Sequence, residues 1–143
     1  MRSQKKGLLV ENNIDSAVIT ASANGTGVDT QGYDSLAFVV NVGESADTLS
    51  GSVYFDLLVQ ESDDDSTYTD VAEADLDGGL VGGAAGAFAL VDAAAEDDAA
   101  YTVGYIGGSR YARCRIEVTG THNNGTPIGA VSVKGNPKYG PAA

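Results

Sequence analysis

Three consecutive aspartates, Asp63, Asp64 and Asp65, form the densest group of potential ligand atoms in the chain. Calcium is bound by clustered carboxylate and carbonyl oxygens, so this group is a candidate Ca²⁺ site. Its spacing lacks the alternating aspartates, the glycine and the closing glutamate of an EF-hand loop. Residues 62–66 also have the composition of a polar turn between two strands. The sequence therefore favours an Asx-type turn, with Ca²⁺ as the alternative and no other cofactor.

The only cysteine, Cys114, and the only histidine, His122, are the candidates for nucleophilic chemistry. Cys114 alternates with apolar residues in a strand-like segment, which predicts a small core residue and not an activated thiol. His122 lies in a loop rich in glycine and asparagine, with no strand to position it. No Ser-His-Asp arrangement, phosphate-binding loop or H-E-x-x-H motif is present. We therefore predict no catalytic residue and no enzymatic activity.

The charge of the chain is unevenly distributed along its length. The net charge is −12, from 20 acidic and 8 basic residues. All basic residues lie in residues 2–6 and 110–138, while 19 of the acidic residues lie in residues 7–109. Nucleic-acid binding requires lysine and arginine against the phosphates, so we predict no nucleic-acid partner. An apolar run of about 18 residues, as a membrane span needs, is absent, and we predict no membrane contact.

The few basic residues are the candidates for contact with a partner. Arg113 and Arg115 share one face of a predicted strand, and two interpretations remain open. They could pair with carboxylates across the sheet. Alternatively they could form a docking patch that orients an acidic partner. The complete set of predicted contact residues is Arg2, Lys5, Lys6, Arg110, Arg113, Arg115, Lys138 and Tyr139.

Positioning these residues requires β-strands, which the hydrophobic pattern predicts throughout the chain. Apolar and polar residues alternate in residues 51–61 and 111–119, and glycine-rich or polar turns separate the segments. The pattern predicts an all-β fold: a two-sheet antiparallel sandwich, jelly-roll or immunoglobulin-like, with about eight strands. One short helix is possible in residues 92–100. The strand signals lie in residues 16–21, 35–42, 51–61, 67–72, 87–91, 101–106, 111–119 and 128–134.

The same pattern predicts the domain limits and the core. Residues 1–13 are predicted to be an N-terminal arm, residues 14–135 the sandwich domain, and residues 136–143 a C-terminal tail. Two prolines in the tail cannot take part in a central strand. The residues predicted to be buried are Val53, Phe55, Leu57, Val59, Cys114, Ile116 and Val118.

Two segments are each predicted to form a hairpin. The first, residues 53–71, reads VYFDLLVQESDDDSTYTDV, and the second, residues 101–119, reads YTVGYIGGSRYARCRIEVT. A turn at Gly107 and Gly108 would suit positive φ angles. This pair of segments, with its GxxRYxR element, resembles small β-sandwich proteins of tailed bacteriophages that serve as head decoration or cement proteins, or form the base of head fibres. The resemblance covers roughly residues 30–138.

This resemblance implies a non-enzymatic structural protein on the outer surface of the virion head, made in the host cytoplasm. It implies two partners, the major capsid protein and copies of the chain itself, with a trimer as one possible oligomer. The alternatives are a carbohydrate-binding or adhesin-like module and a head-fibre or tail accessory subunit. An exposed row of aromatic residues would favour the carbohydrate-binding module, whereas a flat apolar or basic patch would favour capsid docking.

Overall fold

The computed structural model describes residues 3–140, which form two antiparallel sheets packed face to face. This confirms the predicted all-β sandwich. Each of the eight predicted segments contains a strand, and three further two-residue strands bring the described total to eleven. The strands are β1 Leu8–Ile19, β2 Ala23–Asn24, β3 Val28–Asp29, β4 Tyr33–Val42, β5 Tyr54–Ser62, β6 Thr69–Asp70, β7 Leu76–Asp77, β8 Ala87–Val91, β9 Ala99–Tyr105, β10 Tyr111–Thr119 and β11 Thr126–Pro137.

The strands divide into two sheets. Sheet A has the order β1-β11-β4-β9-β7, so the long strand β1 is one edge and the short strand β7 is the other. Sheet B has the order β2-β10-β5-β6, with β3 also beside β10 and β8 also beside β5. The β5–β6 pair, in which Gln60 lies opposite Asp70, confirms the first predicted hairpin.

The core lies between the sheets because every second residue of the long strands points inward. Phe38, Phe55 and Ile116 are completely buried there. Of the predicted core residues, only Val53 and Val118 are half-buried, since both lie toward the end of the β5–β10 pair. The predicted core residues that are buried are Phe55, Leu57, Val59, Cys114 and Ile116.

The second predicted hairpin is wrong. β9 pairs with β4 and β7 in sheet A, whereas β10 pairs with β5 in sheet B, so residues 106–110 cross between the sheets. The crossing is packed against Tyr105, whose hydroxyl accepts the N–H of Ser109 at 3.0 Å and donates to Glu61 at 2.6 Å. Neither Gly107 nor Gly108 has a positive φ. Glycine suits position 107 because a Cβ there would lie 2.6 Å from the Tyr105 ring.

The first strand begins inside the predicted N-terminal arm. Residues 8–12 pair with β11, placing Val10 opposite Val133, because these apolar residues continue the sheet. At the other end, β11 runs to Pro137, which lies opposite Tyr33. The proline is tolerated there because it is the last residue of the strand.

Of the at most one short helix expected in residues 92–100, none forms; the segment makes turns before β9. Its apolar residues are alanines, which give a helix little surface to bury. The carboxylate of Glu96 instead accepts the backbone N–H of Asp92 at 2.8 Å.

Short 3-10 helices occur at Lys5–Gly7 and Glu73–Asp75. None of the helices within residues 3–140 is long and apolar enough to cross a membrane.

Candidate functional site: an apolar outer sheet face

The outward side of sheet A carries a continuous apolar surface. The register places Val10 beside Val133 and Val133 beside Ala37 in one row across the sheet. In the next row, Val131 lies beside Val39. Side chains directly opposite each other on one face of a sheet are in contact, so these rows form one surface. We call it the valine face; its residues are Leu8, Val10, Ala37, Val39, Val131 and Val133.

The valine face is almost free of charge. On the outward side of sheet A, among the paired positions of the described strands, only Asp77 is charged, and it lies on the edge strand β7. The neighbouring outward positions are small or neutral, including Thr102 and Gly104. A chain with a net charge of −12 therefore keeps the outward paired positions of β1, β11, β4 and β9 free of charge. In a sheet with one solvated face, the residues that point to water are normally polar. This apolar outward surface therefore has the composition of a contact surface.

Several apolar side chains at the margin of this face are open to solvent. Val10 is 56% exposed, Leu8 is 36% exposed, and Ile106, beyond the end of β9, is 65% exposed. A shallow depression of about 320 Å³ lies among Leu8, Val133 and Ile106; Gly104 and Gly135 also line it, and Asp34 and Asp77 lie at its polar side. The absence of side chains on the two glycines leaves room there for an apolar group of a partner.

The outer side of sheet B has the opposite character. There Arg113 lies opposite Gln60, and Glu117 lies opposite Asp56. Like charges directly opposite each other repel. Burial, followed by the charge of Glu117, raises the pKa of Asp56 above its usual value. The two outer faces of the sandwich are therefore chemically distinct.

The three arginines of the predicted docking patch are engaged within the molecule. Arg110 forms a two-point contact with Asp29 at 2.8 and 3.2 Å, which holds the pKa of that carboxyl below its usual value. Arg113 donates to Gln60 at 2.8 Å and lies over the ring of Tyr68.

Arg115 donates to the side chain of Asn24 at 2.6 Å and lies 3.7 Å from Glu117. All three arginines thus have partners across the sheet or in the adjacent loops. Only Arg110 pairs with a carboxylate on another strand, whereas the cross-strand partners of Arg113 and Arg115 are the side-chain amides of Gln60 and Asn24.

The remaining predicted contact residues lie near the termini. Lys5 and Lys6 are exposed in the first 3-10 helix, and Tyr139 is 88% exposed. Lys138 forms an exposed ion pair with Asp34 at 3.1 Å. Arg2 lies outside the described residues. The described contact residues thus fall into two groups. Arg113 and Arg115 lie on the outer side of sheet B, and Lys5, Lys6, Lys138 and Tyr139 lie near the end of sheet A where β1 begins and β11 ends.

The aspartate cluster forms the turn that follows β5. The carboxylate of Asp64 accepts the backbone N–H groups of Thr67 at 2.8 Å and Ser66 at 2.9 Å. These bonds, that of Thr67 first, lower the pKa of Asp64. Asp65 has a φ of 57° and accepts the hydroxyl of Tyr68. Within residues 3–140, no three His, Cys, Asp or Glu side chains are grouped so as to hold a metal ion. The carboxylates serve the turn.

Cys114 and His122 are both buried. Cys114 has no exposed surface, and burial raises the pKa of its thiol to about 12. His122 packs against Phe55 with ring centroids 4.3 Å apart, and its Nδ1 lies 3.8 Å from Asp47 without a hydrogen bond. The loop composition around His122 gave no sign of this burial. Both residues contribute to packing.

Sequence reasoning missed the valine face, although a signal was present. Residues 36–40 read LAFVV, so apolar side chains point to both faces of this strand. A strand of this kind is typical of a sheet covered on both faces.

No protein-family model matches the chain, and no curated protein matches it in sequence.

Proposed function

We propose that this chain is a non-enzymatic structural protein of a tailed-phage virion, a head decoration or cement protein that binds the outside of the capsid lattice. The observation that carries the proposal is the uncharged, apolar valine face on a strongly acidic chain. A rigid sheet can lie against a protein shell and bury apolar area across the seams between its subunits. Many copies bound to one lattice would oppose dissociation of the shell.

In this proposal the valine face is the docking surface, and the arginines of sheet B are not. A neutral apolar face contributes binding free energy that salt does not screen. Attraction between exposed charges is instead screened by salt, over a Debye length of about 8 Å at physiological ionic strength. The acidic loops around the face resist unspecific association of the free protein. The face itself then supplies the contact.

The carbohydrate-binding alternative has less support. A sugar platform needs exposed aromatic rings, and among the described residues Tyr139 is the one large aromatic side chain that is exposed. Two partly buried tyrosines instead contact groups of the same chain. Tyr68 lies under Arg113, and the hydroxyl of Tyr101 donates a hydrogen bond to the carbonyl of Glu96. The head-fibre or tail accessory subunit uses the same kind of docking face, so the test must locate the chain on the particle.

The experiment is a reconstruction of particles released by the host that carries this gene. The expected result is density for the sandwich on the outer surface of the head, with sheet A turned toward the shell and sheet B toward solvent. Density confined to the tail would favour the accessory-subunit alternative. Absence of the chain from purified particles, or sheet A turned to solvent, would overturn the proposal.

A further inference from the structure

The free edge of sheet A is a second surface that lacks a neighbour in the structure. β1 pairs with β11 on one side only, and it is the terminal strand in the order of sheet A. Farther along, Asn13 turns the strand toward sheet B, where its side chain donates to the carbonyl of Thr26. The open part is therefore the segment before Asn13, residues 8–12. An open strand edge of this kind is a template for pairing with another strand.

The charges on either side of this edge complement each other when two copies of the segment run antiparallel. Residues 5–15 read KKGLLVENNID, with lysines at the start, apolar residues at 8–10 and an aspartate at the end. Glu11, also in this segment, is paired with Lys134 of the same chain at 2.9 Å. If Val10 lies beside Val10 of a second copy, residues 8–12 of the two copies pair. The 3-10 helix that carries Lys5 and Lys6 in one copy then lies at the end of the pair from which the other copy continues to Asp15. Lys5, Lys6 and Asp15 are all exposed.

Lys5 and Lys6 are also distinct from the other described lysines. Lys134 pairs with Glu11 at 2.9 Å, and Lys138 pairs with Asp34 at 3.1 Å. Within residues 3–140, Lys5 and Lys6 are the lysines with no carboxylate at ion-pair distance. On a chain with a net charge of −12, they are the free cations beside the open edge.

We propose that the chain forms a two-fold dimer in which β1 of one copy pairs antiparallel with β1 of a second copy along residues 8–12, with Lys5 and Lys6 of each copy facing Asp15 of the other. Such an interface is isologous, so each contact occurs twice. Pairing covers the exposed Val10 and joins the two copies of sheet A edge to edge. The two valine faces then form one continuous surface, and a dimer gains avidity on a lattice. The dimer goes beyond the proposed function and is tested on the isolated protein.

Sedimentation of the purified full chain over a concentration series tests the dimer. We expect the mass to rise from the monomer value of 14.5 kDa to that of a dimer as concentration rises. The variant Lys5→Glu/Lys6→Glu should weaken association by about tenfold or more. The triple variant Lys5→Glu/Lys6→Glu/Asp15→Lys reverses the charges on both sides and should restore association.

The matched control is Arg110→Glu/Arg115→Glu, which changes the net charge equally at ion pairs of sheet B and should leave association unchanged. Val10→Lys should abolish dimers, since a lysine on an edge strand opposes pairing. Amide exchange gives an independent readout: protection of residues 8–12 should rise with protein concentration, whereas that of β7, the other edge of sheet A, should not.

A monomer at all concentrations, a trimer, or failure of Asp15→Lys to rescue the double variant would overturn the dimer. None of these results bears on capsid docking, because the valine face keeps its composition in each edge variant except Val10→Lys. Conversely, the isolated protein could form the dimer while the chain is absent from purified particles. That result would support the β1–β1 dimer and refute the proposed function.

Discussion

Asn13 joins the two sheets through Cys114. The side-chain Oδ1 of Asn13 accepts the backbone N–H of Cys114 at 3.0 Å, and its Nδ2 donates to the carbonyl of Thr26 at 2.7 Å. Asn13 lies where the β1–β11 register shifts, between Asn12 and Ile14. Position 25 is glycine because a Cβ there would overlap the side chain of Asn13. One buried carboxamide thus ties the edge of sheet A to the middle of sheet B.

Replacement of Asn13 by alanine should destabilise the fold. The N–H of Cys114 would lose its acceptor, and an unsatisfied buried group costs about 1–3 kcal/mol. The measurement is the free energy of unfolding in urea. The matched control is Asn12→Ala, because Asn12 is exposed and its one described side-chain hydrogen bond is to the nearby Asp15. Equal stability of the two variants would contradict the role assigned to Asn13.

The thiol of Cys114 should be unreactive in the folded protein. It has no exposed surface and its pKa is raised to about 12, so at neutral pH it is both shielded and protonated. We expect a thiol reagent to label it only in denaturant. The control is Ser66→Cys in the exposed turn, which should be labelled at once. Rapid labelling of Cys114 under native conditions would show that the β5–β10 layer opens easily.

Asp56 should destabilise the protein at neutral pH. Burial and the opposing Glu117 raise its folded-state pKa above the unfolded value of 3.8, so stability falls as pH rises through the interval between these two values. Asp56→Asn removes this cost. We expect it to raise the free energy of unfolding at neutral pH by about 0.2–1 kcal/mol, the range of cross-strand pairs on an exposed face. The gain should disappear below the unfolded pKa, and a gain independent of pH would argue against charge repulsion.

Asp64 should contribute to stability with a pH dependence opposite to that of Asp56. Its hydrogen bonds from Thr67 and Ser66 lower the folded-state pKa. They therefore stabilise the protein fully at pH values above the unfolded-state pKa, and this stabilisation is lost as pH falls through the folded-state pKa. Asp64→Asn should therefore lower the melting temperature at neutral pH and have little effect in acid. Addition of Ca²⁺ should not change the wild-type melting temperature if the carboxylate serves only the turn. A large calcium-dependent increase would revive the metal site.

The layer structure could be predicted from the sequence, but the pairing of β9 and β10 could not. In β10, strict alternation around Cys114 separates the inward side from the charged outward side, and the structure follows it. A short glycine link between two alternating segments is typical of a hairpin. Here each segment instead pairs with a distant strand, β4 or β5, and the link crosses the sandwich beside Tyr105. Local pattern does not report such long-range pairing.

The candidate site was missed for a related reason. The basic residues were conspicuous because they are few, yet Arg110 and Arg115 have partners that only the tertiary structure reveals. The valine face is assembled from strands far apart in sequence, with Val10 and Val133 as neighbours. The apolar residues on both faces of β4 indicated a sheet that is covered on both sides. The strand register was needed to show that β1 and β11 also carry apolar residues on the outward face.

The most direct measurement of the central claim is a copy count on purified particles for two variants with the same change in charge. Val39→Glu/Val133→Glu places carboxylates in the middle of the valine face, and Arg115→Glu alters the outer side of sheet B by the same amount. Circular dichroism and urea unfolding first establish that both variants are folded. We predict that the valine variant is nearly absent from particles at low and high salt, while Arg115→Glu binds at the wild-type copy number. Wild-type occupancy by the valine variant, with loss of Arg115→Glu, would contradict the account and return the docking surface to the arginines.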